Sequence, residues 1–424
     1  MLYNILDYGA VPNGKTLATA PIQNAIDDCN KKGGGTVLIP SGNFYTGSLF
    51  LRDNVELHFE IGAILTASRS IEDYNADDAY PQNFGSDAEE WLPKHLIMAI
   101  ECNNVAITGH GTINGSGDSF FKEVTPTLPT NYVWMDGVMH AKNRKPGPLV
   151  VFVECTNVTV DGITISNAPC WALLLHACEY VRVSNYQCFN QKTALQTDGL
   201  DIDCCRFVTV SNCNINTGDD GITFRCDTWR QKKRKVCEHI TVTNCNIAVS
   251  SSAFRVGVGV GTIRNIRVSN ITIERCGVGI SAMGNYSPYC AANIEDVNFS
   301  NVSIGFCSFP IEISGERGSV KNMTIDNLRA NCIGNLRINP RENCPVSNIN
   351  LRNIELYLKL DKRGLTPERI AKRGENAIHI ERATSVTLDN VFLYIDDDVR
   401  ASWKNDLYVD DPACVRLINC NFEK

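Results

Sequence analysis

Short strands of alternating apolar and polar residues recur along most of this chain, and this repeat limits the possible folds more than any other feature. Each copy is a β-branched stretch that often follows Asn or another polar residue, as in Asn157-Val158-Thr159-Val160. Equivalent positions are separated by 23, 27, 32, 26, 31, 26, 26 and 37 residues, and they are Val158, Val181, Val208, Ile240, Ile266, Val297, Met323, Ile349 and Val386. Such a period is typical of a solenoid, whose coils bury their inner faces against one another.

The repeat predicts an all-β, single-domain solenoid over residues 1–424, because a sandwich or barrel would not give so many copies in near register. Residues 1–60 should form an N-terminal cap and the first strands, and residues 95–424 the coils, with loop insertions at 118–148 and 228–236. The stretch 21–32 is apolar at positions 22, 25, 26 and 29 and ends at three glycines, which predicts a capping helix. The Asn before each strand should adopt the left-handed conformation and hydrogen-bond along the stack.

Composition excludes several classes of protein. A hydrophobic fraction of 43% excludes wholesale disorder, and a net charge of −7 argues against a non-specific nucleic-acid binder. No run of about 18 apolar residues is present, so no transmembrane helix is predicted. The 19 cysteines lack zinc-site spacing, and we interpret them as small buried thiols. We predict no metal and no cofactor.

The first ten residues, MLYNILDYGA, contain neither a basic head nor an apolar stretch of the kind found in signal peptides. Together with reduced thiols, this predicts a cytoplasmic protein, or a secreted or periplasmic one if a leader has been removed. We expect a monomer or a weak oligomer.

Two acidic turns lie about one coil apart. The first contains Asp198 and Asp201 in QTDGLDID, and the second contains Asp219 and Asp220 in NTGDDGI. Residues one coil apart stack at about 4.8 Å, so these carboxyls should crowd together and one should stay protonated near neutral pH. Hydrolysis of a sugar acetal needs one carboxylic acid and one carboxylate. A calcium site or a solvated turn is the alternative for one such turn, and two turns in successive coils favour hydrolysis.

These two motifs resemble those of glycoside hydrolase family 28, the polygalacturonases and their relatives. The resemblance extends to Tyr8-Gly9-Ala10, to the segment 34–42, to the segment 109–115 and to residues 148–185. It implies a right-handed parallel β-helix and inverting hydrolysis. It places Asp219 as the general acid, Asp198 and Asp220 as the residues that hold and deprotonate water, and Arg225 where the family has a substrate-binding Lys.

The sequence departs from the family pattern one coil later. Ser252 stands where the family usually has the His of a Gly-His-Gly turn, and the stretch 277–282 lacks the Arg-Ile-Lys that grips a galacturonate carboxylate. The sugar beside the cleaved bond therefore need not be galacturonate, or another cation holds it. We regard Arg255 as the candidate replacement, because Arg can bind a carboxylate through two parallel hydrogen bonds. A purely structural Arg is the alternative.

The sequence as a whole predicts a glycosidase that cleaves pectin-related oligosaccharides or polysaccharides, derived from galacturonan or rhamnogalacturonan. Asp201, Trp229 and Tyr286 are further candidates for substrate contact. The insertion at 229–235, WRQKKRK, is interpreted either as a solvated loop or as a basic wall that attracts an anionic glycan. Two alternatives remain open: a polysaccharide lyase, and a non-catalytic glycan-binding β-helix.

Overall fold

The computed structural model describes residues 1–87, 89–123, 139–142, 144–249, 251–285, 290–360 and 374–422. These residues form two compact units. The first unit contains the described residues up to Asp219 together with 229–235, and the second contains 220–228 and the described residues from Val236 onward. Part of the predicted insertion at 118–148 lies outside the described residues. So does almost all of the stretch 365–374, a candidate helical insertion.

Each unit is a stack of parallel strands. The strands of the first unit are Leu2–Asn4, Asn13–Leu17, Gly35–Ile39, Gly42–Thr46, Leu49–Phe50, Val55–Phe59, Ala63–Ala67, Trp91–Leu92, Ile97–Ile100, Asn103–Gly109, Thr112–Asn114, Lys145–Pro146, Val150–Val153, Thr156–Asp161, Thr164–Ser166, Leu173–His176, Glu179–Ser184, Gln187–Phe189, Leu200–Asp203, Arg206–Ser211 and Asn214–Thr217. Those of the second unit are Ile222–Asp227, Cys237–Val249, Ser252–Met283, Ala291–Ser314, Ser319–Cys332, Leu336–Ile338, Val346–Leu358, Asn376–Ile380, Ala383–Ile395, Asn405–Val409 and Val415–Ile418. This arrangement confirms the predicted fold class, a right-handed parallel β-helix.

Helical segments are short and few in the described ranges. The α-helices are α1, Thr19–Lys31, and α2, Asp397–Arg400, and the 3-10 turns are Ile5–Tyr8, Ile71–Asp73, Gly117–Ser119, Thr228–Arg230 and Pro412–Cys414. Neither α1 nor α2 has the length and apolar character that a membrane span requires.

The register within each unit follows the repeat that the sequence predicts. In the first unit Val158 pairs with Val181, and Val181 pairs with Val208. In the second unit the same ladder runs through five pairings and contains Ile240, Ile266, Val297, Met323, Ile349 and Val386. The apolar residues therefore stack in rows inside each coil, and the variable steps are taken up by loops between strands.

Asparagines in the left-handed conformation are the second residue of some strands and lie inside the longer ones. Asn104, Asn157 and Asn301 have φ values of 56°, 58° and 55°. The amide of Asn157 donates to Asn104 over 2.7 Å, and that of Asn104 donates to Asn54 over 2.8 Å. A short side chain that tolerates positive φ and pairs with its copy one coil away explains the preference for Asn here, as predicted.

Helix α1 begins two residues before the predicted start, and its buried residues are the four that the pattern marks: Ile22, Ala25, Ile26 and Cys29. The helix packs on the first coils, against Ile5–Tyr8 and Gly35–Ile39. All 19 cysteines are free and sixteen of them are buried, which confirms their interpretation as thiols inside the coils.

Candidate active site

In the first unit, the first acidic turn leads into the strand Leu200–Asp203. Leu200 and Ile202 face the coil interior, and the period of two in a strand places Asp201 and Asp203 on the opposite face. Asp198 stands just before the strand, and its backbone carbonyl accepts a hydrogen bond from the Ala172 N–H over 2.8 Å. Asp198 and Asp201 are both buried. The acidic face of this strand is therefore covered, with Asp201 and Asp203 both buried.

Asp219 belongs to the second acidic turn, and its carboxyl is held in place by the first turn. Its Oδ2 accepts the backbone N–H of Gln196 over 2.7 Å, which ties the two acidic turns together. The preceding residue, Gly218, packs so closely that an added Cβ would lie 2.2 Å from the Ala194 carbonyl oxygen. Only glycine permits this approach, so Gly218 determines where the Asp219 carboxyl is placed.

A buried network of neutral polar groups supports both turns. The Thr197 hydroxyl donates to the Ala194 carbonyl over 2.7 Å and accepts the Gly218 N–H over 3.2 Å. The Thr217 hydroxyl donates to the Thr197 carbonyl. The Asn190 amide donates to the same carbonyl over 3.2 Å, and its oxygen accepts the Ala168 N–H over 2.8 Å. Sequence reasoning missed Asn190, because a single Asn among many Asn-led turns gives no distinguishing signal.

A buried lysine lies beside these carboxyls. Lys145 is only 1% exposed, and its ammonium lies 3.5 Å from the Leu195 carbonyl oxygen and 5.0 Å from the centre of the Phe121 ring. Burial lowers the pKa of Lys145, whereas the charges of Asp219 and Asp198 act in the opposite direction. Lys145 lies in the predicted insertion, and nothing in the sequence there marks it as a neighbour of the acidic turns. Only the fold brings it to them.

One further acid of the first unit is paired. The Asp203 carboxylate lies 2.9 Å from the His176 imidazole Nδ1, and both side chains are almost fully buried. The two residues pair in register, so this is a buried hydrogen bond within the sheet. Beside it, Trp171 packs at 5.7 Å against Trp91 in an apolar cluster on the outer face.

In the second unit, Asp220 lies in a cage of donors. Its Oδ1 accepts hydrogen bonds from the Ser252 N–H over 2.8 Å and from Nη2 of Arg255 over 3.3 Å. Its Oδ2 accepts a hydrogen bond from Nε of Arg255. The Ser252 hydroxyl accepts a further Arg255 bond of 3.0 Å. The two residues that stand in the altered family motif therefore both bind Asp220.

The electrostatics of Asp220 follow from this cage. Burial alone would raise the pKa of its carboxyl, but the charge of Arg255 and the hydrogen bonds from Arg255, Ser251 and Ser252 outweigh burial. The pKa of Asp220 is therefore held below its ordinary value. A carboxylate held ionised in this way is suited to accept a proton rather than to supply one.

The remaining predicted residues occupy different positions. Arg225 lies in the strand Ile222–Asp227, beside Val258 in register. Trp229 lies in the turn Thr228–Arg230, and its side chain is outside the described part of the structure, as is Tyr286. In the first unit, Lys232 pairs with Glu101 and Lys235 pairs with Glu179 at 3.4 Å. These two lysines are thus engaged with acids, whereas Lys233 and Arg234 of the same insertion are exposed.

The family model of glycosyl hydrolases family 28 matches residues 29–336, which is more than half of the chain. The chain belongs to glycosyl hydrolases family 28. Among curated relatives, an exo-poly-alpha-D-galacturonosidase of Dickeya chrysanthemi is 30% identical over 258 residues, and a probable polygalacturonase of Vitis vinifera is 25% identical over 228 residues. Each alignment covers 52% of this chain, and 41% and 44% of the relative, so the match spans less than half of these relatives.

Among solved structures, this family 28 chain is similar to a family 28 exopolygalacturonase of Yersinia enterocolitica. The TM-score is 0.68 at 19% identity, with 99% of this chain and 78% of that chain covered. At this identity the likeness shows the fold. Family membership and fold agree with the resemblance that the acidic motifs indicate.

Proposed function

We propose that this chain is an inverting glycosidase that cleaves O-glycosidic bonds in pectin-related saccharides, derived from galacturonan or rhamnogalacturonan. The observation that carries the proposal is the different surroundings of two consecutive carboxyls. Asp219 is held by a neutral backbone N–H and Asp220 by an arginine. Paired carboxyls whose surroundings separate their pKa values divide the roles of acid and base between them.

Asp219 takes the role of general acid. The Gln196 N–H donates to Oδ2 and so holds the Asp219 carboxyl in one orientation. From this orientation, a protonated Asp219 would deliver its proton to the glycosidic oxygen. Transfer of this proton to the departing sugar lets the bond to the anomeric carbon break.

Asp220, with Asp198, takes the role of holding and deprotonating the attacking water. Arg255 keeps Asp220 ionised, so its carboxylate can accept the proton of a water that attacks from the opposite face of the sugar ring. Because Arg255 is bound to Asp220, we propose that its main task is to set the charge state of the base. Arg225 then remains the candidate for direct contact with substrate.

The test is incubation of the protein with oligosaccharides of homogalacturonan and of rhamnogalacturonan. Mass spectrometry should show products that have gained one water, and proton NMR at early times should show the anomer inverted relative to the substrate. An unsaturated product that absorbs in the ultraviolet would instead indicate a lyase. Retention of the saccharide without any cleavage would indicate a glycan-binding module.

A further inference from the structure

A row of polar side chains runs along the outer face of the second unit. Ser281 pairs in register with Glu312, Glu312 with Arg337, Arg337 with His379, and His379 with Tyr408. Successive members of a parallel ladder are about 4.8 Å apart and point the same way. We call these five residues the polar row. It provides a regular succession of hydrogen-bonding groups across several coils.

Two cavities open on the polar row. One has a volume of about 270 Å³ and reaches Ser252 and Arg255, and the other has a volume of about 610 Å³ and reaches Ser314 and Arg341. Both are lined by Glu312 and Arg337, so they adjoin at this pair. The larger volume lies in the range of small-molecule sites, about 300–1,000 Å³, and the smaller one lies just below it. The cavities therefore offer room for sugar units beyond the coil that holds Asp220.

Several buried polar atoms in these cavities have no hydrogen-bond partner among the described residues. They are the hydroxyls of Ser281 and Ser314, Nε of Arg337 and the amide oxygen of Asn339. Ser281 is 1% exposed and Ser314 9% exposed. Buried polar groups are normally paired, because leaving one without a partner costs free energy. Donors and acceptors of this kind on a cavity wall indicate a polar ligand.

The larger cavity is lined by as many carboxylates as arginines, three of each. Arg337 pairs with Glu312 at 2.6 Å, and Glu381 pairs with Arg382 at 2.6 Å and lies 3.5 Å from the His379 ring. A neutralised pair presents acceptors and donors side by side without net charge. Sugar hydroxyls both donate and accept, whereas a carboxylate only accepts. This wall therefore suits hydroxyls better than it suits the carboxylate of a uronate.

We infer that the polar row and its two cavities bind an uncharged sugar unit of a saccharide. The inference rests on the proposed function and deepens it, because it makes the substrate a heteropolymer in which uncharged sugars accompany uronates. Ser281 and Ser314 would pair with hydroxyls of the bound sugar, and the pair of Glu312 and Arg337 would contact sugar in both cavities.

The test measures binding by titration calorimetry to Asp219→Asn, which retains bound saccharide uncleaved. The probes are an uncharged galactose tetrasaccharide and a galacturonate tetrasaccharide. We expect the uncharged probe to bind with an affinity that is independent of salt. Adding Ser281→Ala and Ser314→Ala together should weaken it about thirtyfold, since each lost bond contributes about 1 kcal/mol and about 1.4 kcal/mol is tenfold. Ser303→Ala, at an exposed position of the same unit, is the matched control.

The inference would be overturned by no binding of the uncharged probe, or by binding that the paired serine variant leaves unchanged. Preference for the galacturonate probe, with an affinity that falls steeply as salt rises, would also overturn it, because that indicates recognition by charge. These outcomes are separable from failure of the proposed function. If the serine substitutions weaken binding but the unmodified protein hydrolyses nothing, only the glycosidase proposal is contradicted. If the unmodified protein hydrolyses galacturonan and the serine substitutions do not change binding, only this inference is contradicted.

Discussion

Lys145 and Asp219 meet opposite ends of one peptide group. The carbonyl oxygen of the Leu195–Gln196 peptide lies 3.5 Å from the Lys145 ammonium, and its N–H donates to Asp219 over 2.7 Å. The positive charge lies at the negative end of this peptide dipole, and the carboxyl lies at its positive end. Lys145 therefore orients the group that holds Asp219 and also contributes its charge to the surroundings of Asp198.

We predict that Lys145→Met moves the acidic limb of the kcat pH profile upward by about one unit, because loss of a nearby cation raises the pKa of carboxyls. Lys145→Gln keeps a donor for the Leu195 carbonyl but removes the charge, so it should show a similar pH shift with a smaller fall in maximal kcat. The measurement is the pH profile of turnover, with thermal unfolding as a check on folding. Identical profiles for the unmodified chain and both variants would exclude this positioning role.

Asp219→Asn should reduce turnover by about 10²–10⁴-fold, the usual contribution of a general acid or base. The amide oxygen of Asn can still accept the Gln196 N–H, so the turn and the affinity for saccharide should persist. Turnover and binding are measured on the same preparation. The control is Asp398→Asn at an exposed position of α2, which should leave both unchanged. Rates in Asp219→Asn close to those of the unmodified chain would contradict the assignment of the acid.

Arg255→Met should lower the free energy of unfolding by about 3–5 kcal/mol at pH 7, because it leaves the Asp220 carboxylate buried without its cation. In the unmodified chain the lowered pKa of Asp220 makes a stabilising contribution above the unfolded-state pKa of about 3.9. This contribution is lost as the pH falls through the lowered value. In the variant, burial raises the pKa of Asp220, so protonation on acidification relieves the cost.

The stability difference between the two proteins should therefore narrow as the pH is lowered from 7 towards about 4. Urea unfolding at a series of pH values measures this difference. Arg352→Met, at an exposed position of the second unit, should change stability by no more than about 0.5 kcal/mol at any pH. A difference for Arg255→Met that is constant across this range would show that the guanidinium does not control the ionisation of Asp220.

Gly218→Ala should destabilise the protein by about 1–3 kcal/mol, the usual cost of overpacking, and should reduce turnover further than this loss of stability explains. The new methyl group would meet two carbonyl oxygens, at 2.2 Å from that of Ala194 and 2.4 Å from that of Gln191. The turn must shift, and with it the Asp219 carboxyl. The measurements are thermal unfolding and turnover at a temperature where the variant is fully folded. Unchanged turnover there would show that the turn tolerates the shift.

The architecture of the coils could be predicted from the sequence alone. Every coil needs the same strand pattern, so this pattern recurs in the sequence once per coil. The strand register, the asparagine turns and the buried face of α1 all follow from spacing and from the conformational preferences of single residues. The two acidic turns are visible for the same reason, since Asp198 and Asp219 lie one coil apart. Such local patterns can be recognised without knowing which residues pack against them in the folded protein.

Only the tertiary structure decided what surrounds those acids. Lys145 comes from an insertion outside the repeat, and Asn190 comes from a turn that resembles many others, so neither has a periodic signal. Arg255 could equally have bound a substrate carboxylate, and its position against Asp220 shows how it is engaged. The physical reason is that burial and charge pairing depend on neighbours brought together through space, whereas strand period and turn conformation depend on neighbours along the chain.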